Sequence, residues 1–98
     1  MTPRRLLLDD QAARDIAARA RILRRERGAA FADAWIDTLL SWLDALAEGG
    51  AALGSAHPED PSLRVFGYRR QASILAEFVP GELRVIRVYF RGQDWSRL

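Results

Sequence analysis

The stretch Leu83-Arg-Val-Ile-Arg-Val-Tyr-Phe-Arg-Gly-Gln-Asp-Trp95 constrains the fold more than any other part of the chain. It is an apolar run of strand length with arginines set into it, and successive side chains of a strand point to opposite faces. Strict alternation puts Ile86, Val88 and Phe90 on one face and Val85, Arg87, Tyr89 and Arg91 on the other. Guanidinium groups are rarely buried unless paired, so a strand made only for a core has no use for Arg84, Arg87 and Arg91. One face is expected to pack and the other to hold anions. Arg87, flanked by Ile86 and Val88, needs an acid beside it, supplied by Asp94 or by another protein.

The rest of the chain supplies what such a strand packs against. Arg4 to Leu8 reads as a short strand, and Asp9 or Asp10 is placed to cap a helix through the free N–H groups of its first turn. That helix runs to about Arg27, with Ala13, Ile16, Ala17, Ala20 and Leu23 at helical spacing and Arg14, Arg21, Arg24 and Arg25 on its wet side. Gly28 stops it. A second helix spans roughly Ala30 to Glu48. Its apolar stripe is Phe31, Ala34, Trp35, Thr38, Leu39, Trp42, Leu43 and Leu46, opposite Asp33, Asp37, Asp44 and Glu48. Trp35 and Trp42 are expected in the core. Gly49-Gly50 ends the helix, and Ala51 to Ser62 reads as a loop that leaves His57 on the surface. Strands follow at Leu63 to Phe66, Ala72 to Phe78 and Leu83 to Phe90, with a turn at Pro80-Gly81. The order β-α-α-β-β-β predicts an α+β fold, a helical hairpin packed on one face of a small, mostly antiparallel sheet.

Bulk properties narrow the chemistry. Ninety-eight residues with 49% hydrophobic content suffice for one core, so a single domain over 1–98 is expected. There is no Cys and one His, which leaves no thiol nucleophile, disulfide framework or Cys/His metal site, and no cofactor is expected. No apolar run approaches the ~20 residues that span a bilayer, and no signal-peptide pattern opens the chain. A reducing cytoplasm is the expected location. All fifteen basic residues are Arg. Residues 1–27, 28–62 and 63–98 carry +4, −6 and +4. A GC-rich genome explains Arg in place of Lys but not this segregation. Arginine suits bidentate binding of phosphate and carboxylate, so the outer blocks are candidates to meet nucleic acid or an acidic protein.

Four places in the sequence resemble the RelE/ParE family of bacterial toxins from type II toxin–antitoxin modules. Ala13-Arg14-Asp15-Ile16 in the first helix is similar to that family's Ala-x-x-Asp-Leu/Ile opening. The second helix starts after a Gly and is rich in Leu and Ala. Leu63-Arg64 leads into the strands, and Val85-Ile-Arg-Val-Tyr-Phe-Arg-Gly-Gln-Asp-Trp95 is similar to the family's terminal strand. The likeness covers nearly the whole chain and implies a cognate antitoxin (ParD-like or similar) in a hetero-oligomer, with operator DNA contacted only through that antitoxin.

The family has two branches, and each makes a different demand. RelE-like members cleave mRNA on the ribosome, which requires a group to take the 2′-hydroxyl proton, an acid for the leaving oxygen and cations for the phosphate. On that reading Arg64, Arg70, Arg87, Tyr89 and Arg91 are the catalytic candidates. The chain has no Lys, Trp95 stands where a late Tyr or His is wanted, and arginine is hard to deprotonate. ParE-like members bind and poison DNA gyrase, which asks only for a shaped, charged surface. Arg21, Arg24, Arg64, Arg69, Arg70, Arg87, Arg91 and Trp95 are the candidates for meeting antitoxin or target, since Arg and Trp are enriched in interface hot spots. The thin acid–base set favours the inhibitor. A third reading is a toxin-fold protein that has lost toxicity, or a plain nucleic-acid-binding module. The latter ranks lower, because no RNP-type signature is present. The partner is expected to lay an amphipathic helix, and an added strand, along the helical hairpin, its acids meeting Arg21, Arg24, Arg64 or Arg87.

Overall fold

The computed structural model describes residues 4–49 and 54–96. Its elements are β1 (Arg5–Leu8), α1 (Asp10–Arg27), α2 (Ala29–Gly49), β2 (Ser55–Ala56), β3 (Arg64–Tyr68), β4 (Ala72–Val79) and β5 (Glu82–Phe90). One five-stranded sheet runs in the order β1-β5-β4-β3-β2. β1 pairs parallel with β5, and every other pairing is antiparallel. β2 falls inside the segment read from sequence as loop, where two residues are too short to show a period.

The helical hairpin covers one face of the sheet. Ala12, Ile16 and Ala20 of α1 and Ala32, Leu39, Leu43, Leu46 and Ala47 of α2 are buried. Most of them share a core with Phe66, Tyr68, Ile74, Ala76, Leu83, Val85 and Val88. The α1 stripe is rotated from its expected position, since Ala12 is buried while Ala13 and Ala17 are exposed. On α2, Phe31, Ala34 and Thr38 are likewise exposed. Trp35 and Trp42 pack against this core without being fully buried. Gly28 ends α1 at φ 92, a left-handed conformation that only Gly adopts cheaply, and its N–H bonds the Arg24 carbonyl at 3.0 Å.

The opposite face carries a smaller cluster of Leu63, Leu75 and Tyr89, joined by Val65, Ile86 and Trp95. Here the alternation read from sequence fails in one place. Leu75 pairs with Arg87 and Ala76 with Val85, so Ile86 is an extra residue, a β-bulge. One unpaired residue flips the facing of everything before it. Val85 and Leu83 therefore enter the helical core, fully buried, and Ile86 joins the other face. Val88 and Phe90 lie on the helical side, as the alternation predicts.

Asp9 sits at the N-cap of α1 in extended conformation but makes no side-chain capping bond. Its carboxylate instead accepts from Arg84 Nε at 2.9 Å. The β1 ladder ends with the Asp9 N–H, which bonds the Val85 carbonyl at 2.9 Å, and beyond it side chains close the edge of β5. Asp15 Oδ2 accepts the Val88 N–H at 2.9 Å, and Gln93 Oε1 accepts the Phe90 N–H at 2.7 Å. Both edge donors are satisfied without another strand.

Candidate functional site

Two arginines form the tight turn between β3 and β4. Arg69 and Arg70 both have positive φ, 47° and 58°, a conformation in which the Cβ crowds the backbone. Hairpin turns of this kind favour Asn-Gly. Two adjacent arginines here hold strain that the flanking ladder, from Phe66 opposite Ile74 to Tyr68 opposite Ala72, must overcome. Arg69 lies over the Tyr68 ring, 5.5 Å from its centroid.

Behind this turn, on the face away from the helices, lies a hollow of about 550 Å³. Gly67, Ser73 and Tyr89 line it, and Arg69, Arg70, Arg91, Gln93 and Trp95 surround them. Gly67 and Ser73 are paired across the ladder, as are Ser73 and Tyr89, so the three form one cross-strand row. A Cβ on Gly67 would meet nothing within 4 Å, consistent with open space above it. Tyr89 is 8% exposed, and the Arg87 guanidinium lies 4.8 Å from its ring centroid.

Trp95 reaches this place through the one histidine. His57 is buried at 1% exposure, not on the surface as its loop position suggested. Glu59 N–H donates to its Nδ1 at 3.0 Å, and its Nε2 lies 2.8 Å from the Trp95 carbonyl. Since Nδ1 accepts, Nε2 carries the proton and donates. Both ring nitrogens are thus committed to holding the C-terminal segment across the sheet. Replacing His57 with Ala is expected to cost about 2–4 kcal/mol, because it leaves a cavity and removes the partner of the Trp95 carbonyl. Urea unfolding measures the loss, and Trp fluorescence reports whether Trp95 has come free.

A second, smaller cleft of about 250 Å³ lies at the end of the helical hairpin. Leu23, Phe31, Trp35 and Phe90 supply its apolar lining, and Arg19, Arg27, Arg70 and Arg91 its charge. The Arg27 guanidinium stands 4.3 Å from the Phe31 ring centroid and Arg19 5.7 Å from that of Phe90. Phe31, 39% exposed, is one of two large apolar side chains left to solvent among the described residues. Arg70 and Arg91 border both the cleft and the hollow.

Three of the remaining sequence candidates, Arg24, Arg64 and Arg87, have partners inside the chain. Arg87 does not meet Asp94. Its Nε and Nη2 donate to Asp15 on α1 at 2.9 and 3.3 Å, while the same guanidinium stands 4.8 Å from the Tyr89 ring centroid. Arg64 lies on the helical face and donates to the Gly54 carbonyl. Arg24 pairs with Asp33 at 3.1 Å, both largely exposed. Arg21 is exposed on the outer side of α1 with Arg24 and Arg25, apart from the hollow. Of the sequence candidates, Arg69, Arg70, Tyr89, Arg91 and Trp95 are brought together. Arg19, Arg27, Leu23 and Phe31 were missed. The α2 periodicity places Phe31 in the core stripe, and Arg19 and Arg27 gain significance only from the aromatic rings beneath them. Among the described residues, no group of three His, Cys, Asp or Glu side chains is placed to hold a metal ion.

No family model matches the chain, and no curated protein does. Solved structures do match. A chain of the chromosomal ParDE toxin–antitoxin system from P. aeruginosa superposes with a TM-score of 0.74 at 19% identity, over 89% of this chain and 95% of that one. A chain of the RelBE2 toxin–antitoxin complex from Mycobacterium tuberculosis gives a TM-score of 0.62 at 14% identity, over 95% of this chain and 97% of that one. At such identities the likeness is one of fold. The chain has the RelE/ParE-like α+β fold. Among the described residues no helix is long and apolar enough to cross a membrane.

Proposed function

We propose that this chain is the toxin of a type II toxin–antitoxin module, held in check in the cytoplasm by a cognate ParD-like antitoxin, and that it acts by binding DNA gyrase. The fold supports the toxin reading, because the two structural neighbours described above come from toxin–antitoxin systems. The observation that carries the mode of action is the strained Arg69-Arg70 turn beside Arg91 and Trp95. It is a surface of guanidiniums and one indole, suited to gripping carboxylate or phosphate on a large partner. It is poorly equipped for proton transfer. The imidazole is engaged at both nitrogens, and Tyr89 is nearly sealed beneath its neighbours.

The antitoxin belongs on the cleft at the helical hairpin. An amphipathic helix with acids along one side would seat apolar residues on Phe31 and Leu23 and meet Arg19 and Arg27. Because Arg70 and Arg91 border both concavities, an antitoxin seated there takes two of the arginines the target needs. Binding of the two is then mutually exclusive. Arg24, Arg64 and Arg87 contribute less to either partner, since each would first leave a bond within the chain.

One feature favours the ribonuclease alternative: Tyr89, a phenol, lines the same hollow as Arg69, Arg70 and Arg91. Induction of the chain separates the two readings. Inhibited supercoiling and DNA breaks, with mRNA intact and Tyr89→Phe as toxic as the wild type, support gyrase binding. Prompt ribosome-dependent mRNA cleavage that Tyr89→Phe abolishes establishes the enzyme instead. Co-expression of a neighbouring acidic antitoxin should suppress toxicity, and Phe31→Arg should reduce that rescue.

A further inference from the structure

The outer edge of β1 is unpaired among the described residues, since β1 ends the sheet order. Its ladder alternates in a fixed way. Arg5 N–H bonds the Gly81 carbonyl at 2.8 Å and Asp9 N–H the Val85 carbonyl at 2.9 Å, so residues 5, 7 and 9 turn their backbone polar groups toward β5. Leu6 and Leu8 therefore turn theirs outward. Asp9 is still extended, at φ −64 and ψ 155, and prolongs the strand by one residue. Leu7 is 40% exposed, on the face away from the helices.

We propose that this edge pairs with the same edge of a second copy, antiparallel and centred on Leu7. The segment is self-complementary in that one register. Leu6 falls opposite Leu8 of the second copy, and both are outward-facing residues, as a hydrogen-bonded antiparallel pair requires. Leu7 falls opposite Leu7 on the two-fold axis at the non-hydrogen-bonded position, where side chains approach most closely. Arg5 falls opposite Asp9 at both ends, on the same face as Leu7. An edge arginine normally repels a second copy of its own strand. Here the register sets it against a carboxylate. Asp9 Oδ1 is engaged by Arg84, and a carboxylate has a second oxygen for the incoming Arg5. A slip by one residue would set outward-facing groups against inward-facing ones, and a slip by two would separate the charges. An isologous pair of this kind closes on itself and leaves the hollow and the cleft of each copy outside the contact.

The interface is small, below the ~1,200 Å² typical of stable complexes, so the dimer is weak. Sedimentation of the full chain, made in a cell-free system, from about 10 µM to about 1 mM should show the mass rising from 11.0 kDa toward twice that. Leu7→Arg sets like charges on the axis and should remain monomeric throughout. Arg5→Glu and Asp9→Arg should each be monomeric alone, and their mixture should dimerise because opposite charges return at both ends. The chain has no Cys, so Leu7→Cys supplies a geometric test. It should form a disulfide dimer at least about tenfold faster than Ser55→Cys on the far edge strand, because Cβ atoms of such a pair lie ~4.5–5.5 Å apart. A monomer at every concentration, or cross-linking no faster than the control, overturns the proposal. So does amide protection at Leu6 and Leu8 that appears only when a different protein is added, which would assign the edge to that partner.

Discussion

Replacing Arg69 and Arg70 with Asn and Gly is expected to make the chain more stable and, on the function proposed above, to disarm it. A left-handed conformation costs an ordinary residue roughly 1–2 kcal/mol, and Asn and Gly are relieved of most of it. The entropy that Gly adds to the unfolded chain takes back about 0.5–1 kcal/mol. The net gain is about 1 kcal/mol, or roughly 4–8 °C in Tm for a domain of this size. Function moves the other way. Two arginines at the centre of an interface are each worth about 2 kcal/mol or more, some 30-fold in affinity. Target binding and growth inhibition should therefore fall by more than an order of magnitude while the fold improves. The Lys-Lys variant separates strain from charge. It keeps both the left-handed turn and the two cations but loses the planar fork, so its Tm should stay at wild type and its binding should fall between the two. An unchanged Tm in the Asn-Gly variant would mean that the turn is not strained. Undiminished toxicity would move the target surface elsewhere.

That pairing of strain and charge marks the limit of what the sequence discloses. The helices were legible because each repeats its pattern over several turns, and α1 and α2 end within a residue or two of Gly28 and Gly49 as expected. The sheet was legible in its order but not in its register. Nothing in Val85-Ile-Arg-Val88 announces that Ile86 is a bulge, because that depends on the pairing with Leu75 and Ala76 rather than on local propensity. The arginines show the same division. Sequence ranked them by charge and neighbours. Structure ranks them by whether an acid lies within reach. Arg87 and Arg24 have found Asp15 and Asp33, across 72 and 9 positions, whereas Arg69, Arg70 and Arg91 surround a hollow. The Arg-Arg step between two apolar strands was a usable signal, since a short turn of that composition contradicts turn chemistry. His57 gave no such signal, because its partners, Glu59 N–H and the Trp95 carbonyl, are backbone groups.

Asp15→Ala is expected to be among the most damaging single changes outside the hydrophobic core. The Asp15 side chain is 11% exposed and accepts from Arg87 Nε, Arg87 Nη2, the Val88 N–H and Gln11. It fixes α1 to β5 where the β1 ladder has run out. Removing it leaves an edge N–H and a half-buried guanidinium without acceptors, for a loss of about 3 kcal/mol once the partial exposure of Arg87 is allowed for. Asp15→Asn keeps one acceptor for Val88 but not the charge, and should cost about half as much. Hydrogen exchange should localise the damage to Val88 and its neighbours on the β5 edge. The pH dependence follows from the same contacts. Burial pushes the Asp15 carboxyl up, but the bonds from Arg87, Val88 N–H and Gln11 outweigh it and hold its pKa below the usual carboxylate value. The folded pKa is thus the lower of the two, so the charged form stabilises the fold at every pH above the unfolded value. That contribution disappears as the pH falls through the folded value. Wild type and Asp15→Asn should therefore differ most above the ordinary carboxylate range and converge as the pH falls below it, through the lowered folded value. Parallel curves down through that value would mean that Asp15 contributes shape and not charge, and that Arg87 is held by its stacking on Tyr89.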